Sequence, residues 1–163
     1  MLAAGMDYAT EYAIRRLIHR TADLQDQGRI DELARLFRHG EIVLAGVGEV
    51  FRGEQGARDV LRRTIFYDAN GQRADPNVVY ATPRAIQFIS NVDVYDGSDG
   101  EACATSRFMI VQQREEGPHP VIGGRYLDSF ALVDTVYCFR RRVAEVHLLG
   151  NSVGYLTANP WTT

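Results

Sequence analysis

Four apolar, β-branched segments follow one another through the second half of the chain and constrain its fold more than any other feature. They span about 85–95, 102–114, 121–133 and 136–148. The connections between them carry the Gly, Pro and Asp residues typical of turns, at 96–100, 115–120 and 134–135. Because strands joined by such turns pair with their sequence neighbours, the sequence predicts a meander of long antiparallel strands.

The first third of the chain has helical patterning instead. Apolar residues recur at helical spacing over 7–27, and Gly28 supplies a stop signal. A second helix is predicted from about Ile30, a strand pair or a single bulged strand over 41–51, and a short third helix after Gly53. Helices followed by antiparallel strands predict an α+β fold, in which a curved sheet wraps around the N-terminal helices and leaves a cone-shaped, mostly apolar pocket.

Length and charge exclude several classes of protein. The 163 residues suit a single domain over 1–163, with a core at about 8–150 and a C-terminal tail at 151–163. A net charge of −3 and the lack of a basic stripe argue against nucleic-acid binding. We see no signal peptide and no run of about 20 apolar residues, and therefore expect a cytoplasmic protein without membrane contact. The histidines lack metal-ligand spacing, so no metal site is predicted.

The segment 67–83 is the longest predicted connection. It carries glycine, proline and asparagine and is too long for a tight turn. Loops of this length in compact domains tend to be lids or binding loops, which is what we expect here.

Four short motifs, in order along the chain, carry a family resemblance. They are Ala22–Leu33, Phe51-Arg52-Gly53, Gln87–Asn91 and Gly124–Phe130. Over about 8–150 the chain resembles the SnoaL-like branch of the nuclear transport factor 2-like superfamily, which implies a cone-shaped α+β barrel. That branch includes scytalone dehydratase, polyketide cyclases and bile acid 7α-dehydratase, so the fold alone does not give the reaction.

The resemblance assigns two positions on the first helix and first meander strand. In dehydratase-like members, an aspartate near the end of that helix pairs with a histidine on that strand and removes a proton beside a carbonyl or leaving group. Asp26 matches the aspartate, whereas Gln87 replaces the histidine. Since a glutamine amide does not titrate, the resemblance implies Asp26 as general base with Gln87 as a hydrogen-bonding group.

Other matching positions are also changed. Gln112 stands where scytalone dehydratase has a second histidine, Gln25 replaces its tyrosine, and Ser129 replaces its asparagine. The resemblance makes Gln25, Gln87, Gln112 and Ser129 substrate-binding candidates, with Gln87 and Ser129 holding a developing enolate.

Strand alternation places Arg125, Leu127 and Ser129 on one face of their strand and Tyr126, Asp128 and Phe130 on the other. The resemblance turns the first set toward the pocket. Arg125 then either meets an anionic group at the pocket mouth or forms a salt bridge with a neighbour such as Asp93 or Glu145.

Two hypotheses remain open. The first is a cofactor-free lyase or isomerase that acts on an apolar, carbonyl-bearing ring compound. The second is a non-catalytic module that binds an apolar ligand or assembles, like the small subunits of ring-hydroxylating dioxygenases. In the second case Asp26 is a solvated charge at the end of a helix. In either case we expect a homodimer or homotrimer.

Overall fold

The computed structural model describes residues 5–78, 80–98 and 100–162. Within these ranges the helices are α1 (Tyr8–Asp26), α2 (Ile30–Arg35) and α3 (Gly53–Leu61). The strands are β1 (Glu41–Leu44), β2 (Glu49–Arg52), β3 (Ala85–Asp96), β4 (Ala102–Arg114), β5 (Gly117–Val133) and β6 (Val136–Leu149). None of the described helices combines the length and apolarity needed to cross a membrane.

The strands form one six-stranded sheet in the order β2-β1-β6-β5-β4-β3. Strands β3 to β6 pair antiparallel with their sequence neighbours, as the turn pattern predicts, and β1 joins β6 in parallel. The sheet is curved and does not close on itself. The predicted α+β fold, with a curved antiparallel sheet around N-terminal helices, is therefore confirmed.

The core lies between α1 and one face of the sheet. Ile14 and Ile18 of α1 are fully buried with Phe37, Phe130 and Phe139. The rings of Phe37 and Phe139 stack with their centroids 4.6 Å apart. The apolar stripe predicted on the first helix is thus the face that packs against the sheet.

Gly28 ends α1 as predicted. Its φ is +69°, a left-handed conformation that glycine adopts without strain. The Gly28 N–H donates to the Gln25 carbonyl and the Arg29 N–H to the Leu24 carbonyl, at 3.1 and 2.9 Å. This is the Schellman pattern, and it fixes the position of Asp26 in the last turn of α1.

The turn expected at 115–120 is shorter than predicted, because β5 already begins at Gly117. Pro118 and Pro120 pair with β4, whereas the pairing with β6 starts only at Ile122. A proline is tolerated where one side of a strand has no partner, since its missing N–H then breaks no ladder bond. The composition of the segment indicated a turn, but its position at an open edge allows a strand.

Candidate functional site

A cavity of about 150 Å³ lies between the helices and the sheet. Its lining is mainly apolar, and the polar side chains on it are those of Thr21, Gln25, Thr64, Gln87, Tyr126, Arg142, Tyr155 and Trp161. An apolar cavity of roughly this volume accommodates benzene. The space therefore suits a compound with one six-membered ring.

Asp26 sits beside this cavity, at the junction of α1 and β3. Both carboxylate oxygens accept from the backbone N–H of Gln87, at 3.1 and 3.2 Å. The carboxylate is half-buried, and this burial raises the pKa of Asp26 from 3.8 to about 6, against the opposing effect of the Gln87 N–H and with a further increase from Asp23. Asp26 is not among the residues that line the cavity.

Gln87 connects the carboxylate to the cavity. While its backbone binds Asp26, its side chain lies on the cavity wall and its Nε2 donates to the Tyr126 hydroxyl at 2.6 Å. The Tyr126 ring stacks on Phe108 with the centroids 4.3 Å apart. Burial raises the pKa of Tyr126, so its hydroxyl stays neutral and keeps a hydrogen to donate.

A buried ion pair lies on the same side of the cavity. Arg142 donates from Nε and Nη2 to the two oxygens of Asp128, both at 2.8 Å, and from Nη1 to Thr21 Oγ1 at 3.0 Å. Burial lowers the pKa of Arg142, but the Asp128 carboxylate outweighs this effect and leaves the pKa raised. The guanidinium is therefore charged, and it lies 4.1 Å from the centre of the Tyr126 ring.

The C-terminal tail contributes a further part of the cavity wall. Leu156 bridges to Thr64, and the Tyr155 carbonyl accepts from the Ile65 N–H at 2.7 Å. This pairing brings Tyr155 next to Gln25, whose Nε2 donates to Thr64 Oγ1 at 3.0 Å. Burial raises the pKa of Tyr155 far above its usual range, so it too is neutral.

The expectation that Arg125, Leu127 and Ser129 face the cavity is wrong. The opposite face of β5 is turned inward, with Tyr126 on the cavity wall and Asp128 and Phe130 buried. Ser129 lies instead in a surface depression near Arg140 and Arg141, which removes it as an enolate-binding candidate. Arg125 donates from Nε and Nη2 to Glu145, at 2.9 and 2.8 Å, so the salt-bridge alternative is the one observed.

Gln112 is also outside the cavity. It is buried, and its Nε2 donates to the carbonyls of Pro83 and Gly154 at 3.2 and 2.9 Å. Its amide therefore ties the tail to the start of β3. Of the four predicted substrate-binding side chains, Gln25 and Gln87 reach the cavity, whereas Gln112 and Ser129 do not.

The segment 67–83 does not cover the cavity, contrary to the lid expectation, since none of its described residues lines it. Its Tyr67 hydroxyl donates to the Gly154 carbonyl at 2.6 Å, and Ala81 packs against the turn at Gly28. The segment therefore braces the tail and the end of α1. The C-terminal tail contributes to the lining of the cavity instead, through Tyr155, Leu156 and Trp161.

Several cavity residues were missed by sequence reasoning. Tyr126 and Arg142 lie far along the chain from Asp26 and Gln87, and their meeting depends on the register of β5 against β6. One signal was present: the face of β5 that holds Tyr126 also holds Asp128, an acid that needs a partner when buried. Among the described residues, no group of three or more His, Cys, Asp or Glu side chains is arranged to hold a metal ion.

Comparisons with known proteins place this geometry in a family. Solved structures with the same fold include Aln2 from a Streptomyces species, with 18% identity, a TM-score of 0.66, and 86% of this chain and 93% of that chain covered. An NTF2-like protein with a cystatin-like fold from Novosphingobium aromaticivorans has 18% identity, a TM-score of 0.65, and coverage of 88% and 85%. ActVI-ORFA from Streptomyces coelicolor has 15% identity, a TM-score of 0.65, and coverage of 85% and 97%. No curated protein matches the sequence. The model of the SnoaL-like domain matches residues 7–143, and the chain therefore belongs to the SnoaL-like domain family.

Proposed function

We propose that this protein is a lyase or isomerase that transfers a proton on a small, carbonyl-bearing ring compound, with Asp26 as the general base. The observation that carries the proposal is the double role of Gln87. Its backbone N–H binds the Asp26 carboxylate, and its side chain binds Tyr126 on the cavity wall. A carboxyl group with a pKa of about 6 is a usable base near neutral pH.

The Gln87–Tyr126 pair supplies the group that holds the substrate oxygen. Since Gln87 donates to the Tyr126 oxygen, the hydroxyl hydrogen remains available to a carbonyl in the cavity. When a proton beside that carbonyl is removed, negative charge develops on its oxygen and strengthens this hydrogen bond. The charged Arg142, against the Tyr126 ring, stabilises the same negative charge.

Because Asp26 stands next to the cavity lining without belonging to it, the proton passes to it through one water molecule. A general base acts either in direct hydrogen-bond contact or across one such water. The Gln87 backbone binds the carboxylate and the Gln87 amide lies on the cavity wall, so a single residue separates the base from the bound compound.

A specific observation favours the second candidate, a non-catalytic binding module. Strand β3 is at the edge of the sheet, so the backbone N–H and C=O groups on its outer side need hydrogen-bond partners from outside the sheet. Asp26 caps the Gln87 N–H, and Arg15 similarly donates from Nη1 to the Val92 carbonyl at 2.9 Å. Both contacts serve the edge strand whether or not the protein is an enzyme.

Hydrogen exchange separates the two candidates without a known substrate. Acetophenone and small cyclic ketones are incubated with the protein in D₂O, and loss of the α-hydrogen signal is followed by NMR. We expect the wild type to accelerate exchange and Asp26→Asn to reduce the acceleration by about 100-fold or more. The exposed Asp23→Asn, one turn earlier on α1, is the matched control and should retain activity.

The pH dependence provides the second readout. Since the base must be ionised, exchange should rise with pH through about 6, the pKa of Asp26, and then level off. Ketones that bind but do not exchange, or an Asp26→Asn variant as active as the wild type, would favour the binding module and exclude Asp26 as the base.

A further inference from the structure

One side chain on the cavity wall has an unused hydrogen-bond acceptor. Gln25 is 7% exposed and lines the cavity. Its Nε2 donates to Thr64, but its buried Oε1 has no hydrogen-bond partner among the described residues. A buried amide oxygen without a donor costs free energy and is rare in folded proteins. Its position on a cavity wall indicates a donor that arrives with the ligand.

Tyr126 offers the complementary group elsewhere on the lining. It accepts a hydrogen bond from Gln87, and no described residue accepts the hydrogen of its hydroxyl. The cavity wall therefore presents a hydroxyl donor at Tyr126 and a buried acceptor at Gln25 within a largely apolar lining. A ligand that satisfies both must itself carry an acceptor and a donor.

We infer that the ligand is a single-ring compound with a hydroxyl group as well as a carbonyl. The carbonyl oxygen accepts from Tyr126, and the hydroxyl donates to Gln25 Oε1. The inference rests on the proposed function only for the carbonyl end and needs no proton transfer.

The volume of the cavity and the charge on its wall limit which group of the ligand can donate to Gln25 Oε1. A cavity of about 150 Å³ leaves room for one ring with small substituents. An ammonium group would be a second positive charge in the cavity that Arg142 lines, and burying it there is unfavourable. A neutral hydroxyl can donate a hydrogen bond to Gln25 Oε1 without burying a second positive charge.

Calorimetric titration of the full chain tests the inference with defined probes. The probes are acetophenone and its meta- and para-hydroxy derivatives, together with the matching methoxy compounds, which keep the oxygen but lack the hydrogen. We expect at least one hydroxy compound to bind about tenfold more tightly than acetophenone and its methoxy analogue, because it alone satisfies the buried oxygen. Equal affinity of all the probes would overturn the inference.

Variants assign the preference to Gln25. In Gln25→Leu, we expect the tenfold preference to fall below about twofold while acetophenone still binds. Gln27→Leu, at an exposed glutamine just past the end of α1 that does not line the cavity, is the matched control and should keep the preference. A preference that survives Gln25→Leu, or is lost equally in Gln27→Leu, contradicts the assignment.

Two further variants keep the result interpretable. If Gln25→Leu does not fold, the double variant Gln25→Leu/Thr64→Val removes both partners of the hydrogen bond, a change that is often nearly neutral for stability. Asp26→Asn should bind the hydroxy compound with the wild-type preference. If it does so without any loss of exchange activity, the proposed catalysis fails while the ligand assignment stands.

Discussion

Replacing Asp26 by asparagine should stabilise the protein at neutral pH. A carboxyl group whose pKa rises from 3.8 to about 6 on folding penalises the ionised folded state. Because the carboxylate is only half-buried, solvent screening limits this penalty to roughly 1–2 kcal/mol. Asparagine keeps an oxygen that accepts from the Gln87 N–H but carries no charge to desolvate. We therefore expect Asp26→Asn to raise the free energy of unfolding by about 1–2 kcal/mol at pH 7.5.

The sign of the effect fixes its pH dependence. Below pH 3.8 the carboxyl is protonated in both states, so wild type and variant should have similar stabilities. Between pH 3.8 and about 6 the folded protein keeps a proton that the unfolded chain has released, so wild-type stability falls as the pH rises. The full difference is present above pH 6.

Urea unfolding at pH 4 and pH 7.5, followed by circular dichroism, measures this difference, with Asp93→Asn at an exposed position of β3 as the control. A carbon-13 titration of the Asp26 carboxyl gives its pKa directly. If Asp26→Asn is less stable than the wild type at pH 7.5, or differs from it equally at both pH values, burial of the carboxylate does not dominate its environment. The proposal of a base tuned by desolvation then loses its physical support.

Three further predictions concern the fold and assembly. Arg142→Met leaves the Asp128 carboxylate buried without its ion-pair partner and should lower the free energy of unfolding in urea by about 3–5 kcal/mol. The double variant Arg142→Met/Asp128→Leu should lose less stability than Arg142→Met alone, and an equal loss in the two proteins would refute the pairing. Gly28→Ala should lower the free energy of unfolding by about 2 kcal/mol or more. The added Cβ would stand 1.9 Å from the Ala81 carbonyl oxygen, and the φ of +69° is unfavourable for alanine. An unchanged melting temperature would contradict this prediction. The expected homodimer or homotrimer stays a prediction: light scattering should give a multiple of the chain mass, and Phe88→Glu on the exposed outer face of the sheet should yield monomers if that face is the interface.

The fold followed from local patterns that a linear sequence carries. The α1 stripe, the Gly28 stop and the four meander strands each depend on residues close together in the chain. Such patterns predict which elements form and which neighbours pair. These patterns gave a wrong prediction at 115–120. Two prolines of this segment lie in β5, where one side of the strand has no partner strand, and this depends on the arrangement of the sheet and not on the segment itself.

The candidate site was only partly predictable, for a related reason. Gln25, Asp26 and Gln87 were found because short motifs around them resemble a family. The inward face of β5 was assigned wrongly. Successive side chains of a strand point to opposite faces, so an error of one residue turns Arg125 and Ser129 inward in place of Tyr126 and Asp128. Both faces of this strand carry polar residues, so alternation alone did not distinguish them.

The sequence by itself determined an α+β chain of the SnoaL-like type, with a carboxylate at the end of the first helix and a neutral amide at Gln87, where the resemblance to dehydratase-like members implies a histidine. The tertiary structure decided what those groups face. Burial gave Asp26 a pKa of about 6, strand register brought Arg142 against the Tyr126 ring, and the tail placed Tyr155 beside Gln25, whose Oε1 has no hydrogen-bond partner among the described residues. Desolvation and cross-strand contacts depend on atoms distant in sequence, and for that reason they became visible only in the folded chain.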